Sequence, residues 1–358
     1  MGELCSINSG RDYKHLDEGG IPVFGTGGFM TSVNEALSYD RDAVGIGRKG
    51  TIDKPYKLRA PFWTVDTLFY CIPEESVDLD FLEGLFLNVD WASKDESTGL
   101  PSLSKTIISD VEVLVPKLSE QVAISGTLAS LDNLITLHQR KCERMKHLKA
   151  AMLDKMFPRP GEKDPELRFE GFTEAWERHK LVDILEEYLD MSEKGKGFEH
   201  VSLTKDGVVP KSDRYNRDSL VTHDNKQYRV THLDDICYNP ANLKFGVICR
   251  NTYSTGIFSP IYVTFRINPG YDPAFVERLV RRDRFISAAL RNQEGTVYER
   301  MSVKPADLLN EDVSVPNQTE QRLIGQTFDN LDSLINLHQR KHDQLETLKK
   351  SLLEKMFV

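Results

Sequence analysis

Residues 120–157 and 320–357 are one sequence written twice, and no fold is admissible unless it gives both copies equivalent places. The first reads EQVAISGTLASLDNLITLHQRKCERMKHLKAAMLDKMF and the second EQRLIGQTFDNLDSLINLHQRKHDQLETLKKSLLEKMF. About half the positions are identical, without a gap, at a constant offset of 200 residues. Two copies are too few for a solenoid, which needs at least about three stacked units. In each copy a stripe steps by threes and fours. It runs Ile124, Leu128, Leu131, Ile135, His138, Cys142, Met145, Leu148, Met152, Met156 in the first copy. In the second it runs Ile324, Phe328, Leu331, Ile335, His338, His342, Leu345, Leu348, Leu352, Met356. That period predicts two long helices with coiled-coil character, each spanning roughly 50–57 Å at 1.5 Å per residue. Leu128, Leu131, Ile135, Met145 and Leu148, with Phe328, Leu331, Ile335, Leu345 and Leu348, are the expected packing positions. The successive steps of three at Cys142, Met145 and Leu148 break a strict heptad, so local irregularity is expected. Leu134, Leu137, Leu153 and their copies widen the stripe beyond a two-helix seam, which suggests a surface for another protein.

Each helix is announced by Val-Pro and an acid: Val115-Pro116 with Glu120, and Val315-Pro316 with Glu320. Ser119 and Thr319 are the expected N-caps, with the acids at the positive end of the helix dipole. Pro158-Arg159-Pro160-Gly161 stops the first helix. What remains is one block before each helix, rich in short β-type runs with Gly and Pro punctuation, such as residues 43–47, 67–72 and 261–265. The expected division is a first globule at 1–119, a helix at 120–157, a linker at 158–170, a second globule at 171–319 and a second helix at 320–358. The fold class is α+β: two α/β globules separated by two long helices. Those helices most easily pair as an antiparallel coiled coil with pseudo-two-fold symmetry.

Composition narrows the function. With 358 residues and 39% apolar content, the chain can bury real cores. No apolar run approaches a membrane span, and residues 1–10 lack a basic region followed by an apolar one, so neither a membrane segment nor a leader is expected. Five cysteines, an odd number with no C-x-x-C pair, point to free thiols in a reducing cytoplasm. The net charge of −9 argues against a simple DNA binder, whose affinity comes largely from neutralised phosphates. Its cations must be local, or partners must help to hold the duplex.

Several motifs fail on inspection. Gly45-Ile46-Gly47-Arg48-Lys49-Gly50 fits G-x-G-x-x-G, but Pro55 follows where a dinucleotide site needs a helix, so a turn between strands is expected. Phe24-Gly25-Thr26-Gly27-Gly28 and Tyr238-Asn239-Pro240-Ala241 each miss part of the adenosylmethionine and adenine-methyltransferase signatures. There is no P-loop. His138 and His338 occupy equivalent repeat positions, and no carboxylate or cysteine completes a metal set around them. A polar notch fixing helix register is the better reading. No nucleophile and base can be assembled, so a catalytic chain is not expected.

Cations cluster inside the globules instead. The first has Arg48, Lys49, Lys54, Lys57 and Arg59. The second has Lys205, Lys211, Arg214, Arg217, Lys226, Arg229, Lys244 and Arg250, interleaved with Tyr215, Asn216, Asn225, Tyr228, Asn251 and Tyr253. Loops of this composition suit phosphate and base-edge contacts, although exposed loops are often charged in any case. The candidates for DNA contact are Arg48, Lys49, Lys54, Lys57, Arg214, Asn216, Lys226, Arg229 and Lys244.

The alternation of globule and repeated helix resembles the specificity subunit of type I restriction-modification enzymes. The repeat carries the resemblance, together with Thr98-Gly99-Leu100-Pro101-Ser102-Leu103-Ser104, Val115-Pro116, Glu294-Gly295-Thr296, Met301-Ser302 and Val315-Pro316. Residues 165–172 with Trp176-Glu177 resemble the lead-in to a recognition domain, and residues 21–28 and 256–262 resemble segments inside one. The first globule lacks that lead-in: Met1-Gly2-Glu3-Leu4 stands where the second has Lys180-Leu181. The resemblance implies a non-catalytic subunit in which each globule is a target-recognition domain reading half of a bipartite double-stranded DNA site. It implies helices that set the gap and dock two methyltransferase subunits, with restriction subunits completing a cytoplasmic complex. S-adenosylmethionine, ATP and Mg²⁺ would be bound by those partners. Two other readings compete: a stand-alone DNA-binding regulator with two heads, and a coiled-coil scaffold that touches no nucleic acid.

Overall fold

The computed structural model describes residues 1–95, 97–159, 161–193, 197–211, 227–292 and 302–357. The chain folds as two compact units, Met1–Arg140 with His338–Val358, and Lys141–Leu337. The division falls inside both long helices. Each unit therefore owns the start of one helix and the end of the other.

Unit 1 begins with seven strands: β1 (Cys5–Ser9), β2 (Glu18–Gly25), β3 (Gly28–Val33), β4 (Ala43–Gly47), β5 (Tyr56–Leu58), β6 (Trp63–Thr64) and β7 (Leu68–Pro73). Helices α1 (Leu79–Asn88) and α2 (Lys105–Ser109) follow, then the long helix α3 (Leu118–Lys155). The main sheet runs β1-β7-β4-β5, and a smaller one runs β3-β2-β6. All five residues of β4 are buried, as a central strand covered on both faces requires. Phe81, Leu82, Leu85 and Phe86 of α1 pack with Val44, Ile46 and Phe69 of the sheet. Asp78 caps α1 by accepting from Phe81 N at 2.9 Å.

The helices complete this core. Ile124 and Leu128 of α3 enter it, as does Phe357 from beyond the last turn of the C-terminal helix α8 (Gln318–Met356). Phe357 stacks on Phe81 at 5.1 Å between centroids. Gln121 fastens the start of α3: its Oε1 accepts from Asp78 N at 2.9 Å, and its Nε2 donates to Pro116 O at 2.9 Å. Within this unit the two helix segments run antiparallel, since Asp132 meets Lys349 at 2.6 Å and His138 meets His338 at 2.9 Å, Nδ1 to Nδ1. One imidazole nitrogen must donate and the other accept, so the pair fixes register as a polar notch does.

Unit 2 repeats the device with different strands. It contains β8 (Glu177–Lys180), α4 (Leu181–Ile184), β9 (Leu185–Glu187), β10 (Met191–Glu193), β11 (Glu199–Thr204), β12 (Gly207–Pro210), β13 (Gln227–Thr231), β14 (Ile236–Tyr238), β15 (Ile248–Arg250), β16 (Gly256–Phe258) and β17 (Val263–Ile267). After these come α5 (Pro273–Arg281), α6 (Asp283–Ala289), α7 (Pro305–Leu309) and β18 (Asp312–Val315). Its sheets run β10-β13-β16-β11-β12, β15-β14-β17-β9 and β18-β8. Asp272 caps α5 at Phe275 N, Gln321 accepts from Asp272 N at 3.0 Å, and Phe157 stacks on Phe275 at 5.5 Å. Here too the helix segments are antiparallel, with Lys149 on Asp332 at 2.5 Å and Cys142 Sγ 3.9 Å from the carbonyl of Ile335. Most of these contacts reappear in unit 1 at helix positions displaced by 200.

The α+β class and the long helices read from the sequence are borne out, with differences in detail. Both helices start two residues early, which puts Ser119 and Thr319 inside them. Asn317 accepts from Glu320 N at 3.0 Å, doing the work expected of Thr319. Leu131 and Ile135 are buried, while Leu128 and Phe328 are shared with the globular cores. Met145, Leu331, Ile335 and Leu345 are half-buried. Leu148 and Leu348, expected in the seam, stand 50% and 47% exposed. Two steps of three residues, at about 100° per residue, rotate Leu148 about 120° from Cys142. Lys149, one heptad on, turns inward instead. The stretch read as a linker, residues 158–170, is tied down within unit 2. Arg168 holds Glu320 through two 2.8 Å bonds, and Phe169 packs against the core.

Candidate nucleic-acid interface

In unit 1 the backbone presents Arg48 and Lys49 from a turn clamped on both sides. Arg48 N and Lys49 N donate to Thr67 O, Gly50 N donates to Pro101 O, and Leu103 N donates to Arg48 O. A side chain at Gly47 would collide with the carbonyl of Thr51, and Gly50 takes φ 91°, so both glycines are required by the turn. Gly45 and Gly47 lie in β4 and no helix follows them, which removes the dinucleotide reading.

Beside this turn lies a cleft of about 480 Å³ lined by Arg48, Lys49 and Lys105 with Ser9, Ser102 and Ser104. Among the described residues no carboxylate lines it. Three cations beside hydroxyls suit a phosphate oxygen. Asp95 shapes the loop from behind by accepting from Ser102 N at 3.0 Å and Ser97 N at 2.9 Å. Those bonds hold its carboxyl below the usual aspartate range. Arg48 lies 5.7 Å over the Phe69 ring, which limits its swing.

The other sequence candidates divide. Lys54 is exposed but does not line the cleft. Lys57 bonds Asp80 at 2.9 Å and Glu83 at 3.1 Å, fastening β5 to α1, so it is a structural cation. Arg229 is only 6% exposed and is held by Tyr262 O at 2.9 Å and Glu187 at 3.4 Å. It braces β13. Arg250 is taken up by Asp329, Glu277 and Asp234. Lys244 is exposed, with Nζ 5.0 Å from the ring of exposed Phe245. Arg214, Asn216 and Lys226 lie outside the described residues. Tyr238 of the failed methyltransferase motif is buried and donates to Val303 O at 2.9 Å, a packing role.

Sequence reasoning missed Lys105, which sits at the first turn of a short helix capped by Ser104. It also missed the exposed Phe29 and Met30 at the β2–β3 hairpin. The signal was the Gly27-Gly28 turn directly before two large apolar residues.

The long helices offer a second surface. Leu134 and Leu137 in unit 1, and Leu334 and Leu337 in unit 2, are exposed apolar residues on otherwise charged helices. All five cysteines are free and buried, and among the described residues no cluster of three metal-binding side chains exists. No helix among them is long and apolar enough to cross a membrane.

Residues 1–147 match a family model described as the type I restriction modification DNA specificity domain. The type I restriction enzyme MjaVIII specificity subunit of Methanocaldococcus jannaschii is 22% identical over 293 residues. That alignment covers 73% of this chain and 64% of the relative, just under two thirds of the relative's length. Among solved structures, the S subunit of a type I restriction-modification system from M. genitalium matches with a TM-score of 0.64 at 15% identity, covering 100% of this chain and 94% of that one. A chain from a structure described as the basis of complex assembly and conformational transition of the type I R-M system matches at 0.50 and 13%, covering 99% and 95%. At these identities the structural likeness concerns the fold.

Proposed function

With its resemblance to type I DNA-specificity subunits borne out by sequence and by fold, we propose that this chain reads a bipartite DNA site, one half per unit, without catalysing a reaction itself. The observation that carries the proposal is the recurrence of one clasp on two different heads. In each unit an aromatic from the end of one long helix stacks on an Asp-capped helix of the head, α1 or α5, while a glutamine from the start of the other fastens that helix's cap. A device repeated on heads with different strands fits a constant mount for variable readers. The helices then set the number of base pairs between the half-sites.

The exposed leucines, Leu134 and Leu137 in unit 1 and Leu334 and Leu337 in unit 2, give each unit apolar surface of the kind that binds another protein, and methyltransferase subunits are the proposed occupants. Restriction subunits join in the full complex. S-adenosylmethionine, ATP and Mg²⁺ belong to those partners. Such partners also resolve the charge objection, since they share in neutralising the duplex. The stand-alone regulator reading gives these leucines no role.

The test uses the chain assembled with its methyltransferase. Replacing Arg48 and Lys49 by Ala removes two phosphate-suited cations. It should flatten the dependence of log K on log salt by about 2 and weaken contact with the first half-site alone. An unchanged salt slope, with both half-sites bound as before, would remove the cleft from the interface.

A further inference from the structure

All three tryptophans are buried, but only two have a described partner for the indole N–H. Trp63 Nε1 donates to Arg11 O at 2.9 Å and Trp91 Nε1 to Phe86 O at 2.7 Å. Trp176 is 6% exposed, and its Nε1 is buried with no acceptor among the described residues. A buried indole N–H ordinarily finds a partner, so its isolation marks a place where an acceptor belongs. The Trp176 ring stands edge-on to Phe157, 5.8 Å between centroids.

The face of the same Phe157 ring carries Arg282, whose guanidinium carbon lies 4.5 Å from the centroid. Arg282 Nε donates to Leu279 O at 3.3 Å, and its terminal nitrogens meet no carboxylate among the described residues. Burial, and then the like charge of Arg284, lowers its pKa to about 10. It therefore stays protonated at neutral pH, in a place where a nearby anion would stabilise it. Arg282 and Trp176 both line a cavity of about 840 Å³ within unit 2, together with Arg284, Phe285 and Arg291. Arg291 is exposed, and its Nε reaches Ala288 O at 3.4 Å. Arg284 shares Asp154 with Arg159, at 3.1 and 3.8 Å. Glu162, Glu177, Glu311 and Asp312 also line the cavity. Of these, Asp312 is taken up by Arg178 at 2.9 Å and Lys180 at 3.1 Å, and Glu162 accepts from Arg159 N at 3.3 Å. An entering anion is favoured among the arginines of α6 and its two ends.

We propose that this cavity is an oxyanion site that takes a phosphoryl group, held by Arg282, Arg284 and Arg291 and accepting from Trp176 Nε1. Several guanidinium groups around one centre suit a tetrahedral oxyanion, whereas a carboxylate is satisfied by one bidentate arginine. The indole donates without adding charge, which gives the site direction as well as attraction. The phosphoryl group belongs either to a small free molecule or to a nucleic-acid backbone, and its chemistry at the site is the same. None of these residues is among those assigned to DNA contact, so the site stands whether or not the chain reads DNA.

The probe is inorganic phosphate, titrated into the full chain against chloride at constant ionic strength. Nitrogen-15 labelling of the tryptophans gives each indole its own NMR signal, and Trp176→Phe assigns the one in question. Phosphate should move the Trp176 signal saturably and leave those of Trp63 and Trp91 in place. The readout is local, so phosphate in the unit 1 cleft does not mimic it. Arg282→Met keeps bulk on Phe157 while removing the charge, and should weaken phosphate about tenfold or more. Arg284→Gln and Arg291→Gln, both at exposed positions, should each weaken it several-fold. If Arg282→Met fails to fold, the two glutamine variants decide. Duplex DNA added afterwards separates the sources: displacement of phosphate names the backbone, and an unchanged titration names a free phosphorylated molecule. A Trp176 signal that phosphate leaves in place, or that chloride moves equally, overturns the site. So does a shift indifferent to both glutamine variants.

Discussion

Phe357 lies next to the last residue of the chain, yet the structure assigns it to the core of the first unit. Phe357→Ala therefore perturbs strands nearly three hundred positions away in sequence. The ring is 7% exposed, stacks on Phe81 and sits so close to Gly84 that a side chain there would collide with it. Removal leaves a void that Gly84 cannot fill. Phe→Ala in a core costs about 3–5 kcal/mol. The open groove beside Phe357 puts this site at the lower end, about 3 kcal/mol. At 1.4 kcal/mol per decade, amide protection should fall about a hundredfold in β4, β7 and α1. Hydrogen exchange read by mass spectrometry gives the result peptide by peptide. Peptides covering β14, β17 and α5 should keep their protection, and Phe157→Ala should give the converse pattern. Faster exchange confined to the last turn of α8 would refute the clasp.

Two further expectations follow from named contacts. Glu320 is almost wholly buried and its carboxylate is held by both arms of Arg168, so Arg168→Ala strands a buried charge. The loss should be about 3 kcal/mol, lowering the calorimetric transition of unit 2 by about 6–12 °C, with Arg168→Lys recovering part of it; an unchanged transition would show the pair to be peripheral. Asp95 has its carboxyl held low by Ser102 N and then Ser97 N, so its contribution is complete above the ordinary aspartate pKa near 3.8 and is lost as pH falls through the lower folded value. Exchange at residues 97–104 should quicken only below about pH 4, relative to the intrinsic rate, and Asp95→Asn should remove that dependence.

Much of this architecture was legible because helices advertise themselves by local period. The repeat fixed both long helices to within two residues, and the runs at 43–47, 67–72 and 261–265 fall on β4, β7 and β17. Period names a face but not its occupant. Leu128 and Leu131 look alike in the stripe, yet Leu128 joins a globular core. The division of both helices between units was invisible for the same reason. Cations posed the harder problem. Arg48 and Lys57 are equivalent by composition, and only the distant Asp80 and Glu83 make Lys57 structural. Arg229 is engaged by Glu187 and the Tyr262 carbonyl, neither of them a sequence neighbour. Lys105 escaped notice because no charged cluster surrounds it in the sequence. It reaches the cleft only through the bridge between Lys49 and Ser102.

The central claim is that one chain carries two readers on one mount. Co-expression with its methyltransferase in a host free of DNA methylation, followed by sequencing of modified bases, tests it most directly. The expected result is one split motif with methylated adenine in each half and a gap of fixed length. Modification at a single contiguous motif, or a stable complex that leaves no motif at all, would contradict it.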